Sequence, residues 1–455
     1  MKEFIKNNYN YLIMFFLLII LAFYFPLTGR SLYWARFDIS IISSENFFKI
    51  FENSLIADLI FYITCKIKII RIVFIALVFM CMITVLKNVI NKKNKTLIYI
   101  ALFLLFVVDQ SVFKTIYVYL PNFVYYVLAM LLYLIIVSYI SNDKLFKLAK
   151  WQALLLGLIV SIINPVFTIL SLLLTLGNLI YNIIKKEDTN NSLALFLGSV
   201  MGSAFMMISS NMAEKIIYIP SITLNIIENV IPNIFSMNFL IYFITLALLL
   251  FLSVKVFIKG TRKIKVLDIL AVLSVLFFSL VFLLTKNIYL EYIAYILNIV
   301  GSYYIINKSN NSIVFKRKNN LIYISKILYI IILAFIVEIG AAYNFPIYIF
   351  DILIILNIID YLLPNNFMEK VWFILSIVIL LTNIYIYRNS FIRFKEMNNY
   401  IKWHLSCDIN NIPLPSKYES DTLYNYIPQD PIDKGSFVEY YKISNTKDYS
   451  VYFEE

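Results

Sequence analysis

Asp38 and Glu45 are the residues of this sequence best placed to do chemistry. They lie in residues 29–71, GRSLYWARFDISIISSENFFKIFENSLIADLIFYITCKIKIIR, the first long stretch outside an apolar run. A carboxylate at the mouth of a helical bundle can act as general base toward an acceptor hydroxyl. The competing reading is ordinary surface charge, and Glu52 and Asp58 share that ambiguity. At the far end of the stretch stand Lys66, Lys68 and Arg71, where the chain turns apolar again. A charge tolerated at the edge of a membrane helix normally has a partner or a task, and the planar fork of Arg suits a phosphate. Their competing reading is snorkelling to the interface. A second polar set, Asp109, Gln110 and Lys114, follows the third apolar run, and with Trp34 it would form a polar mouth, Lys114 adding a further phosphate contact.

Other chemistry finds little support. There is one histidine, His404, which cannot build a His-based metal site alone and reads as a solvated tail residue. No Walker A loop, nucleotide-binding pattern or HExxH motif is present, which argues against an ATPase and a zinc protease. The three cysteines include Cys81 inside an apolar run and Cys65 at the edge of one, a poor disulfide framework. Glu338, Asp351 and Asp360 fall in or beside late apolar runs, where carboxylates face a cavity or a partner and could serve a transporter as proton relays.

The elements that would position these groups are membrane helices. Of 455 residues, 61% are hydrophobic and 15% charged, with mean hydropathy +0.82; soluble domains average about 25% charged. Repeated apolar runs of this length read as spanning helices, because a chain in lipid must satisfy its own backbone. The net charge of +12 sits mostly in short links between runs, where it sets orientation, so nucleic acid is not an expected partner.

About 13 spans (11–14) are expected, an all-α polytopic membrane protein. The first runs from about Tyr11 to Thr28, with Lys2 and Lys6 holding the N-terminus in the cytoplasm; no cleavage site follows it, so it reads as a retained helix. Later spans fall near Ile69–Leu86, Thr96–Val108 and Phe123–Ile140, then in 152–184 with a break at Asn164-Pro165. Further ones fall near Ser192–Ser209, Phe239–Phe257, 267–284, 288–306, Leu321–Ala341, Pro346–Leu363 and Val371–Tyr387. The helical domain is thus 1–387, with outer loops 29–68 and 211–238. An odd count places 388–455 outside, as a small cap containing a strand or two.

In order of features the chain resembles the GT-C class of polytopic glycosyltransferases, and more narrowly a large family of mostly uncharacterised bacterial membrane proteins of that architecture. The stretches that carry the likeness are SLYWAR at 31–36, ENSLIADLI and KIKIIRIVFIALV within 52–78, DQSVFKTIYVYLPNFVYYV at 109–127, IPLP at 412–415 and EYYKI at 439–443. The resemblance implies a multi-pass protein of the bacterial plasma membrane that transfers a sugar from a polyprenyl-phosphate-linked donor to a cell-surface glycan on the outer face. Asp38 or Glu45 would be the catalytic base, and Lys66, Lys68, Arg71 and Lys114 would hold the lipid phosphate. Membrane lipid is a further implied partner, and a divalent cation is left open as cofactor.

The chain also departs from that pattern. Gly29-Arg30-Ser31 stands where paired acids precede the Tyr-Trp, Pro121, Asn122, Tyr125 and Tyr126 stand in place of the usual Gly and Asn-Tyr, and Asn164-Pro165 stands where a Glu is usual. Two alternatives therefore stay open: a catalytically inactive relative supporting surface-polymer assembly, and a transporter or flippase of lipid-linked glycan working through the intramembrane carboxylates.

Overall fold

The computed structural model describes residues 2–28, 30–36, 54–141, 148–187, 189–209, 239–258, 265–284, 287–310, 312–333, 341–364, 366–407, 409, 411–415, 437, 440–441 and 450–453. Asp38, Glu45, Glu52, Glu338, the loop 211–238 and much of the segment after 415 lie outside the described residues.

The described chain is mostly helical. Its helices are α1 (Lys2–Phe23), α2 (Arg30–Arg36), α3 (Leu55–Lys66), α4 (Lys68–Ile90) and α5 (Thr96–Phe106). A helical segment at Leu120–Ser141, α6, follows, then α7 (Lys150–Ser161), α8 (Pro165–Lys185), α9 (Asn190–Ser209), α10 (Phe239–Ser253), α11 (Val266–Leu284), α12 (Ile288–Ser309), α13 (Ile313–Leu333), α14 (Phe345–Leu362) and α15 (Glu369–Ser406). Two short strands, β1 (Asn411–Leu414) and β2 (Ser450–Phe453), pair in parallel, with Asn411 opposite Ser450.

Among the described residues, α4, α6, α8, α14 with the turn before it, and α15 are long and apolar enough to cross a membrane. The apolar parts of α1, α5, α7, α10 and α11 are shorter. The 11 residues of α5 extend about 17 Å at 1.5 Å per residue, against a hydrocarbon thickness of about 30 Å.

The short α5 ends inside the protein, and its last carbonyls are satisfied there. Tyr117 donates to the Leu105 carbonyl (3.0 Å), Asn383 to that of Phe106 (3.2 Å), and Tyr348 to that of Leu104. Side chains thus take the place of the water that normally serves a helix terminus. Around this end the core is aromatic: Phe113 stacks on Tyr387 at 4.5 Å, and Phe79 lies 5.0 Å from both Phe106 and Tyr117. Helix α14 is buried on every side from Phe345 to Ile359, as expected of a helix that, Asp351 and Asn357 apart, is largely apolar all round in the middle of a bundle.

The break at Asn164-Pro165 is present and has a cause. Asn164 caps α8, its side chain accepting from Val166 N (2.9 Å), and proline takes a first-turn position where it has no bond to lose. Helices α7 and α9 then meet backbone to backbone: a methyl group at Gly198 would run into the Leu154 carbonyl, and one at Gly157 into that of Leu195.

Two late helices differ from their expected ranges. Helix α13 begins at Ile313, not near Leu321, so the basic residues Lys316, Arg317 and Lys318 are helical. Lys318 Nζ donates to the Ile90 carbonyl at the end of α4 (2.8 Å), the end of a helix where a cation is favoured. Helix α15 does not stop near Tyr387. It runs 38 residues to Ser406, straight across the expected 387/388 boundary. Its mean hydropathy falls along the way, but Tyr387, Ser390, Phe394, Met397, Ile401 and Leu405 keep one buried stripe at helical spacing. His404 is on this helix too: it is buried, not in solvent, with Nδ1 2.9 Å from the Tyr400 carbonyl.

Candidate functional site

Three elements converge at one end of the bundle: the chain leaving α1, the first turn of α4, and the second half of α15. Helix α4 begins at Lys68 with Ile67 as its cap, and no side chain bonds to its first amides. Its first turn holds no acid and two cations, Lys68 and Arg71. That placement is unfavourable by itself, because the N-terminus of a helix already carries positive partial charge.

Between these elements lies a half-open cavity of about 430 Å³. Phe23, Phe25, Pro26 and Leu27 form one wall, Lys68 and Arg71 a second, and Phe391, Phe394, Lys395, Asn398, Asn399 and Lys402 of α15 a third. Tyr440 and Tyr441 close it from the C-terminal segment. Phe25 also contacts Phe113 and Tyr387 of the aromatic core, so the apolar wall is anchored in packed structure.

The cavity is electrostatically one-sided. Its described lining contains Lys68, Arg71, Lys395 and Lys402 and no carboxylate. Arg71 is buried, with its Nε making no hydrogen bond. Each lysine rests against an aromatic ring of the lining: Lys68 Nζ is 4.2 Å from the centre of Phe23, Lys395 Nζ 4.9 Å from Phe391, and Lys402 Nζ 3.4 Å from Tyr441. Burial, the largest influence, and the neighbouring Tyr440 push the Tyr441 phenol up to about 12, so it stays protonated at neutral pH. Its oxygen accepts a long hydrogen bond from Asn398 Nδ2 (3.4 Å). The arrangement can bind an anion that also has an apolar part.

The residues singled out from the sequence separate here. Lys68 and Arg71 line the cavity; Lys66 and Lys114 are not among its lining residues. Lys66 is exposed, with Nζ 5.6 Å from the centre of the Tyr62 ring one turn back. Asp109 and Gln110 are exposed and also outside the lining. Trp34 does not form a polar mouth: it is buried against Phe61 (6.0 Å) and Tyr62 (6.4 Å), because the segment Arg30–Arg36 is a helix packed on α3. Asp38 and Glu45 lie outside the described residues, so no distance relates them to Arg71.

Other acids are committed elsewhere. Asp58 is buried and accepts a hydrogen bond from Tyr125, whose backbone carbonyl takes Asn164 Nδ2 (3.0 Å). Asp351 pairs with Lys326 at 2.6 Å. Asp360 accepts from Asn91 and Asn94, both at 3.0 Å, and fastens the turn between α4 and α5.

Lys395, Lys402, Tyr440 and Tyr441 are the residues that sequence reasoning missed. A signal for the lysines existed: Phe391, Lys395, Asn398 and Lys402 recur at steps of three and four, one face of a helix. Ending α15 at Tyr387 hid it. Comparison with protein-family models, curated proteins and solved structures returned no match.

Proposed function

We propose that this protein is a membrane-embedded glycosyltransferase of GT-C type that moves a sugar from a polyprenyl-phosphate donor to a surface glycan on the outer face of the bacterial plasma membrane. The observation that carries the reading is the buried Arg71, with no hydrogen bond on Nε and no counter-charge among the described residues, in a cavity lined by cations on one side and by Phe23, Pro26 and Leu27 on the other. A phosphate with a lipid tail matches both halves. Orientation follows from α4. Its far end leads into Lys92, Lys93 and Lys95, which the positive-inside rule assigns to the cytoplasm. The cavity then opens outward, with its cations on the side that the same rule keeps poor in positive charge.

In the reaction the acceptor oxygen attacks the anomeric carbon as the bond from that carbon to the phosphate oxygen breaks. The phosphate leaves with the electron pair, and Arg71 and the lysines stabilise the charge it gains. The acceptor proton goes to a carboxylate, Asp38 or Glu45. A second reading, a non-catalytic relative that binds lipid-linked glycan, is favoured by the lack of any carboxylate among the described lining residues. The flippase reading has less support, because Asp351 and Asp360 both have partners.

The test uses full-length protein in lipid nanodiscs with polyprenyl-phosphate-linked sugar and isolated cell-surface glycan as acceptor, measuring donor binding and sugar transfer, with its release of lipid phosphate, separately. For a transferase, Arg71→Gln loses both, while Asp38→Asn or Glu45→Gln loses transfer and keeps binding. Binding without transfer in the wild type leaves the non-catalytic reading, and no binding ends both.

A further inference from the structure

We infer that the cavity prefers two phosphate groups in series, a lipid diphosphate, over a single phosphate; this rests on the reading that it holds a lipid-linked phosphate.

The first ground is charge. Lys68, Arg71, Lys395 and Lys402 all line the cavity, with no described carboxylate among them. At neutral pH a lipid monophosphate brings up to about two negative charges and a lipid diphosphate up to about three. The cations repel one another, Lys68 facing both Arg71 and Lys395, so the anion with more charge relieves more of that repulsion.

The second ground is spacing. Lys395 and Lys402 are seven residues apart on one helix, about 10 Å along its axis at 1.5 Å per residue. Their ammonium groups are held in different places, one over Phe391 and the other over Tyr441. Charge-assisted hydrogen bonds to phosphate need roughly 2.7–2.9 Å. Two linked phosphates offer each lysine oxygens of its own along that row, whereas a single phosphate must draw both ammonium groups to one centre.

The third ground is room. The cavity, about 430 Å³, is more than a lone phosphate fills. The wall of Phe23, Pro26, Leu27 and Phe391 takes the start of an apolar tail, which selects the lipid form over free diphosphate.

The experiment titrates full-length protein in phosphatidylcholine nanodiscs with polyprenyl monophosphate, polyprenyl diphosphate and inorganic pyrophosphate. The wild type should bind the lipid diphosphate at least tenfold more tightly than the lipid monophosphate. A Lys395→Gln/Lys402→Gln double variant should bring that ratio near one. Both lysines have exposed or half-exposed side chains, so the variant should fold; circular dichroism and size-exclusion elution check this. Equal affinity for the two lipids in the wild type overturns the inference and leaves the proposed function standing. An unchanged ratio in the folded double variant overturns it as well. Binding of neither lipid overturns both, and inorganic pyrophosphate binding as tightly as the lipid diphosphate overturns the lipid as its source.

Discussion

Lys326 and Arg71 are both buried cations, and the protein treats them in opposite ways. Lys326 has a carboxylate at 2.6 Å, Asp351 on the neighbouring helix, and lies 5.3 Å from the centre of the Tyr295 ring. Arg71 has no hydrogen bond on Nε and three further cations around the same cavity. Burial of a charge costs several kcal/mol per ion unless a partner repays it. Inside the bundle that partner is part of the chain, and the pair joins α13 to α14. At the cavity no described residue fills the role, and a bound anion would fill it. A buried charge with a partner in the chain therefore marks architecture, and one with no described counter-charge beside open space marks a candidate site.

The sharpest way to break this contrast is to remove one half of the pair. Asp351→Asn leaves Lys326 buried without a counter-charge and should cost about 3–5 kcal/mol, read as a loss of stability in denaturant-induced unfolding in detergent micelles. If instead Arg71→Gln costs as much, the two regions do not differ as argued; it is expected to leave stability unchanged or slightly raised. Next in size, the combined Lys326→Met/Asp351→Leu variant should recover most of what Asp351→Asn loses, because a well-packed apolar pair often replaces an ion pair at little cost. Smaller again is a comparison within the basic stretch. Lys68→Gln should weaken polyprenyl-phosphate binding several-fold in nanodisc titrations, while Lys66→Gln, outside the cavity lining, should leave it unchanged. Tyr441→Phe keeps the ring beneath Lys402 and removes only the hydroxyl, whose bond from Asn398 is long (3.4 Å), so the same titration should shift by about twofold, matching the low end of the about 0.5–1.5 kcal/mol that a neutral hydrogen bond is worth.

Much of the helical frame was legible in the residue pattern. The stop after Asn164 could be read from Pro165, and the entry to α4 from Lys66, Lys68 and Arg71 followed by an unbroken apolar run. The end of α15 could not be read from hydropathy, since residues 388–406 are held by a narrow buried stripe while the rest of the surface is polar. Trp34 misled for a related reason: a tryptophan in a polar stretch is consistent with a mouth, and only the packing of α2 on α3 buries it.

Taken alone, the amino-acid order determined that the chain is helical and apolar enough for a membrane, because periodicity and transfer energy are local sums over neighbouring residues. It also marked Lys68 and Arg71, with Lys66, as cations at the edge of a membrane helix. Which cations share a cavity was decided by tertiary structure. Lys68 and Lys402 are more than 300 residues apart in sequence and meet only because α4 and α15 run to the same end of the bundle. No local pattern carries that information: a binding site is a coincidence of distant residues, and packing alone brings it about.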